Sequence, residues 1–364
     1  MSVSAGHADP APPAARFTGA AMVRTNRNLR LTCLGVLATI ALGGAVTWRY
    51  WFNFSFGPFA IDRIDLARGD GPAEIKETFV TVPARLSDSF AERARTRRGE
   101  KVEVLSEYFL VPMGDRIMVA ALPPGSPRDV VTGELIEMNS DVRSSAAEYV
   151  RASAKSPEGR KRLNDRMLPF MLDGTPFRTR GFFYLAFMVP AAGLSLWGLS
   201  VAARRDADPA RHPMMKELAR HGDAGEMAAA LDDEVAMMGG APKGLSAFAT
   251  AGWFVRRAGP YRVHVRKLSD LAWVYVKSTR HSVNGIPTGT TFGIVVWDRL
   301  GRALNIGDAR GKGGEQAAHD LILKIRERAP WVMGGYGQDL ERMWKTDRAG
   351  WLKAVDDIRA KGSG

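Results

Sequence analysis

Cysteine is almost missing from this chain: its 364 residues contain one, Cys33. A lone thiol closes no intramolecular disulfide and supplies no Cys-rich zinc site, so every folded part holds together without either staple. Histidine is also scarce. His7, His212, His221, His264, His281 and His319 leave residues 49–180 with neither His nor Cys. That removes Ser–His and Cys–His nucleophile–base schemes from this stretch. No Gly-x-Ser-x-Gly elbow occurs, and no two histidines stand at the spacing of a helical metal-ligand pair. Nothing points to a cofactor. Charge is absent from two stretches, residues 31–48 and 181–203, which are 18 and 23 residues long.

At about 1.5 Å rise per helical residue these runs extend about 27 and 34 Å, near the roughly 30 Å hydrocarbon core of a bilayer. Both read as transmembrane helices. Hydrophobic residues make up 45% of the chain and mean hydropathy is only −0.16, so the rest is not membrane-embedded. The stretches 49–180 and 204–364 hold 132 and 161 residues, each enough to bury a core of its own.

The net charge of +12 is uneven. Arg24, Arg27 and Arg30 precede the first run, and Arg204, Arg205 and Arg211 follow the second. The positive-inside rule then places both termini in the cytoplasm. Tyr50, Trp51 and Phe52 follow the first run while Phe182, Phe183 and Tyr184 open the second, so both aromatic clusters fall at the outer interface. Arg49, Arg178 and Arg180 oppose this orientation but are outweighed. The basic balance fits an anionic leaflet better than nucleic acid. The first run reads as an uncleaved signal anchor, because its leader is long and aromatics follow at once, with a cleaved signal peptide ending at the small residues 41–45 as the alternative. Small residues four apart, Ala41/Ala45 and Gly198/Ala202, would let helices approach closely, including those of a second copy.

The expected layout is α+β: a disordered Ala/Pro-rich tail over 1–30, a helix over 31–48, an extracytoplasmic α+β domain over 49–180, a helix over 181–203, and a cytoplasmic antiparallel-sheet domain with flanking helices over 204–364. In the outer domain, β-rich runs at 77–82, 102–113, 116–122 and 130–138 predict strands, with a hairpin turn at Gly114-Asp115. Helices are expected over 142–152 and 159–172, the second from Leu163, Met167 and Phe170. In the cytoplasmic part, Asp223 with Glu226 predicts a capped helix. Strands follow at 246–255, 261–265, 271–278, 290–298 and 302–306, with Asn284-Gly285 as a turn. Helices close the chain at 315–328, 338–344 and 349–360.

The residues Trp253-Phe254-Val255, the run 268–275 and Thr291-Phe292-Gly293-Ile294-Val295-Val296, followed by the Asp298–Gly301 turn and one amphipathic helix, resemble the pleckstrin-homology-like layout over residues 246–328. The whole chain resembles bacterial two-span inner-membrane proteins with an outer and a cytoplasmic domain. That likeness implies a place and no activity.

Three groups of residues are candidates for a site. Trp273, Tyr275 and Lys277 alternate onto one strand face and, with Arg280 and His281, could form a lipid- or peptide-binding surface; a sheet buried on that face is the plainer alternative. The loop Arg310-Gly311-Lys312-Gly313 precedes a helix and could attract an anion such as a lipid headgroup, though it lacks the phosphate-loop spacing. Asp115 and Arg116 in the outer hairpin turn would be first in any carboxylate-based hydrolase. The expected function is a non-enzymatic sensor, scaffold or adaptor whose partners are the bilayer and a second protein. The alternatives are a membrane-anchored hydrolase and an accessory subunit of an envelope or transport complex.

Overall fold

The computed structural model describes residues 16–362 apart from 62–71, 73–74, 85, 87, 96–102, 128, 154–155, 157, 159–160, 163–164, 243–246, 285 and 311–312. Helix and sheet are mixed throughout, and the chain divides into two compact units, one of residues 36–194 and one of 1–35 with 195–364. Two helices, α1 (Phe17–Val46) and the later Phe177–Ala207, are long and apolar enough to cross a membrane.

In the first unit, α2 (Trp48–Phe56) continues the aromatic cluster as a helix, although Phe54 and Phe56 beside Gly57-Pro58 read in the sequence as an extended start. Asn53 explains the difference. Its Oδ1 accepts from the N–H groups of Thr78 and Phe79 while its Nδ2 donates to the carbonyls of Arg49 and Lys76, so a helical Asn53 anchors the first long strand. The strands are β1 (Phe59–Ala60), β2 (Phe79–Pro83), β3 (Ala91–Arg95), β4 (Glu103–Met113), β5 (Arg116–Leu122), β6 (Val130–Glu137) and β7 (Met167–Asp173), with α3 (Ser140–Ser153) between the last two. They form one mixed sheet in the order β1-β2-β6-β7-β5-β4-β3.

The helix expected over 159–172 ends early: residues 161–162 and 165 are helical, but from Met167 the chain is β7 at the centre of this sheet. Leu168, Phe170 and Leu172 alternate onto one buried face with Met118, Ala120 and Leu122 of β5. Met167 and Met171 turn to the other, beneath Val142 and Ala146 of α3. A run apolar on both faces carries no period, so Leu163, Met167 and Phe170 mimic a helical stripe. Pro169 fits a central strand because a bulge lies there: Ile117 pairs with Met167 but Val119 pairs with Met171.

In the second unit, helix begins at Phe17, so the expected tail over 1–30 is corrected from that residue onward; 1–15 lie outside the described residues. Phe17, Ala21 and Met22 sit on the core formed by Met214, Leu218, Leu231, Phe248 and Val265. After α4 (Phe177–Ala207) come α5 (Pro213–Leu218) and α6 (Ala224–Met237), whose N-cap Asp223 accepts from the N–H groups of Gly225 and Glu226. Met214 is core, whereas Met237 at the end of α6 is 80% exposed.

Two antiparallel meanders follow, β8 (Ala247–Ala249), β9 (Trp253–Ala258) and β10 (Arg262–Lys267), then β11 (Leu271–Val283), β12 (Ile286–Asp298) and β13 (Ala303–Arg310). The single strand expected over 246–255 is broken at Thr250, whose hydroxyl accepts from the Trp253 N–H and turns the chain. Asn284 takes the left-handed conformation (φ 52°) that the β11–β12 turn requires. Helix α7 (Gly314–Arg328) lays Ala318, Leu321, Ile322 and Ile325 on one face of the second sheet. A short parallel strand β14 (Met333–Gly334) joins the edge of β11, and α8 (Gln338–Thr346) and α9 (Arg348–Gly362) cover the other face. In α9, Trp351 and Val355 point inward while Ile358 is exposed.

Helices α1 and α4 touch at Gly198, where an added Cβ would stand 2.6 Å from the Cys33 sulfur. One small residue of the Gly198/Ala202 pair is thus used within the chain. Gly198→Leu should force this contact open at a cost of about 1–3 kcal/mol. Cys33, the sole thiol, reports it directly: labelling by a membrane-permeant maleimide should rise several-fold, and unchanged labelling would refute the contact.

Candidate functional site

The strand-face candidates separate in the structure. Trp273 is fully buried, so it forms no surface. Its Nε1 donates to the Gly335 carbonyl at 2.8 Å, and Trp297, Trp344 and Trp351 surround its ring at 5.2–6.4 Å between centroids. The correction has a plain cause: α8 and α9 fold back onto the aromatic face, so that sheet is covered on both sides. Tyr275 is half-buried against Trp273 and Tyr336. Lys277, Arg280 and His281 are exposed further along the hairpin, where His281 bonds Thr291 at 2.9 Å. Gly311 and Lys312, and the side chain of Arg310, lie outside the described residues; Gly313 begins α7 without a side-chain cap. In the outer hairpin the Asp115 carbonyl accepts from Arg166, and Arg116 donates to the Asp165 carbonyl at 3.2 Å. Both residues therefore tie the turn to the segment entering β7. Among the described residues no three His, Cys, Asp or Glu side chains gather as a metal site would need.

The structure assembles a different site at the end of α4. This helix runs past the uncharged stretch to Ala207, and the Asp208 carboxylate then caps a short turn, Pro209–Arg211. His212 caps α5, whose first residue is proline, as a pre-set φ favours. Met214 and Leu218, four apart, face the core, which leaves Lys216 and Arg220 on the outside. Val263 and Val265 of β10 face the core as well, so Arg262, His264 and Arg266 alternate toward α5. Together these elements enclose an open cavity of about 440 Å³ bordered by Arg204, Arg205, Arg211, Lys216, Arg220 and Arg262. Val201 and Pro213 supply apolar wall and Glu217 the acid.

Glu217 neutralises little of this charge. Its carboxylate already accepts from His264 Nδ1 at 2.8 Å, the Val265 N–H at 2.8 Å and Arg266 at 2.9 Å. Burial pushes its carboxyl up, but those three donors outweigh burial and hold it below the usual range. Arg211 pairs with Asp208 at 3.0 Å. Among the described residues Arg204, Arg205, Lys216, Arg220 and Arg262 form no ion pair, and Arg205 and Arg262 lie close enough to repel.

Sequence reasoning marked Arg204, Arg205 and Arg211 as a flank of the second run and missed the cavity. The density of basic residues from 204 to 220 was a usable signal; Arg262, brought in by the sheet, left none. A second cavity, about 350 Å³, also carries charge, but Lys267 lies over the Trp253 ring and Arg359 over the Trp331 ring. Its Glu234 accepts from Thr250 and Gly252. Neither a protein family, a curated protein nor a solved structure matches the chain.

His212 is buried between Arg211 and Pro213, two of the residues that line the basic cavity. Its Nδ1 accepts from the Met214 N–H at 3.2 Å, which leaves the proton on Nε2, 2.9 Å from the Thr25 hydroxyl. Burial first, and Arg205 second, push its pKa down from 6.5 to about 4 against the pull of Asp206. The folded ring stays neutral where an unfolded one would bind a proton. Its contribution is therefore complete above pH 6.5 and is lost as pH falls toward 4, on the order of 3 kcal/mol in all. His212→Asn keeps a cap acceptor without the titration. Its thermal midpoint in detergent should fall less than the wild type's between pH 7 and 5; parallel curves would refute the assignment. At the tryptophan cluster, Trp351→Ala should cost about 3–5 kcal/mol and expose α9 to limited proteolysis at a protease dose that leaves the wild-type helix uncut.

Proposed function

We propose that this chain is an inner-membrane protein that crosses the bilayer twice, with residues 49–180 outside and both termini in the cytoplasm. It works as a sensor, scaffold or adaptor, by binding. One observation carries the membrane reading: the large apolar side chains of α1 and α4 point away from the protein. Leu31, Leu34, Leu42 and Val46 are 52–75% exposed, as are Phe187, Val189, Leu194 and Trp197. Eight such side chains left in water forgo on the order of 10–20 kcal/mol, which rivals the whole stability of a typical domain. In hydrocarbon the penalty disappears.

The orientation rests on charge and aromatics. Arginines stand before the first apolar run and after the second, and at the other ends the rings of Tyr50 and Tyr184, and of Phe54 and Phe182, meet at 6.3 and 5.2 Å. Such paired rings suit a membrane–water interface. Two successive antiparallel meanders followed by the amphipathic α7 support the pleckstrin-homology-like reading of the cytoplasmic sheet. The helices before and after, and the parallel β14, depart from that pattern. The layout suits docking on a headgroup surface or a protein partner.

The chain should stay in the membrane pellet through alkaline carbonate extraction. Reporter fusions after Ala60 and Pro124 should signal outside and one after Gly222 inside; release by carbonate, or an outside signal at Gly222, would overturn the reading.

A further inference from the structure

We propose that the arginine-rich cavity below α4 binds the phosphate of an anionic phospholipid, whose acyl chains lie along the apolar surface of that helix. The inference rests on the reading of α4 as membrane-embedded and adds the ligand class.

Charge comes first. Six cations border the cavity, its one carboxylate is fully engaged by three other donors, and among the described residues Arg211 alone of the six forms a close ion pair, while Arg220 feels Asp298 at longer range. Arg205 on α4 and Arg262 on β10 repel one another across it. An anion placed between them turns repulsion into two attractions.

Chemistry narrows the anion. Five of the six cations are arginines, and the planar guanidinium offers paired N–H donors that match phosphate oxygens bidentately. The volume, about 440 Å³, lies within the ordinary range for a small bound molecule.

The apolar wall decides the source. Val201 lines the same cavity as Arg204 and Arg205, so along α4 the lining changes from hydrocarbon-like to cationic within one helical turn, about 6 Å. A free phosphate ion uses only the cations. An amphiphile uses both: its phosphate reaches the arginines while its chains continue past Val201 toward Trp197 and Leu194, which are exposed.

The test uses the full chain purified in neutral detergent. It is titrated with short-chain phosphatidylglycerol, short-chain phosphatidylcholine and glycerol phosphate, with hydrogen exchange at α5 and β10 as readout. Phosphatidylglycerol should bind saturably and protect these segments, and the other two should not. Arg205→Gln with Arg262→Gln should weaken binding about thirtyfold, since each basic residue adds about fivefold to the attraction for an anionic headgroup. Lys353→Gln, an equal loss of charge on the exposed face of α9, should leave it unchanged. Because the two arginines repel, the double variant should melt no lower than wild type without lipid, which separates lost binding from lost folding. Equal binding by the double variant, or by phosphatidylcholine, overturns the proposal. Glycerol phosphate binding as tightly as the lipid overturns the lipid source and assigns the cavity to a soluble phosphate. Each of these results leaves carbonate resistance untouched, so the membrane reading stands or falls separately.

Discussion

The unit that carries residues 195–364 depends on what α1 does before its apolar run begins. Thr18 donates both its N–H and its hydroxyl to the Asp232 carboxylate of α6, at 2.8 and 2.7 Å. Thr25 meets His212 at the start of α5. Asn26 and Arg30 both reach Asp206 at the end of α4. These polar contacts are specific in a way that apolar contact is not, because each buried group must find its partner or lose about 1–3 kcal/mol. They fix the rotation of α1 about its axis, and so decide which of its side chains meet Gly198 and which are left outward.

A second constraint is the chain of charge beneath α5. Arg266 is almost buried between Glu217 at 2.9 Å and Asp298 at 3.5 Å, and Asp298 also holds Arg302 at 2.7 Å. Burial pushes the Asp298 carboxyl up despite Arg266, so its own position is not favourable, and its value lies in keeping Arg266 paired. Removing one member of such a set leaves a buried charge exposed to low dielectric, typically a loss of about 3–5 kcal/mol. The set joins α5, β10 and the β12–β13 turn. It also commits Glu217, which is why the neighbouring cavity keeps its positive charge.

Local chemistry made much of this fold legible. The Gly114-Asp115 turn works because Gly114 takes φ 63°, Asp223 caps α6 by its own side chain, and the α7 stripe falls on the core. What stayed hidden is long-range. The 167–173 strand is apolar on both faces and has no period to read, and Trp273 looks like surface until α8 and α9 return over it. The docked half of α1 shows only a short stripe, Phe17, Ala21 and Met22, beside a Pro-rich leader. The cavity needed the sheet to carry Arg262 next to Arg205, 57 residues away along the chain.

The contacts of α1 also set the level of the cavity. Arg30, bound to Asp206, is the last charged residue before the apolar run of α1, and Cys33, one turn on, meets Gly198 of α4. On α4 the interval between these two contacts contains Val201, Arg204 and Arg205, the residues that line the cavity. The change from apolar to charged surface thus falls at one height on both helices, and it is set by hydrogen bonds inside the protein. Lateral slip of either helix would break Thr25–His212 or the Asp206 contacts. The arginines are therefore held in a fixed position beside an apolar wall, a preorganised arrangement that needs no rearrangement before an anion enters.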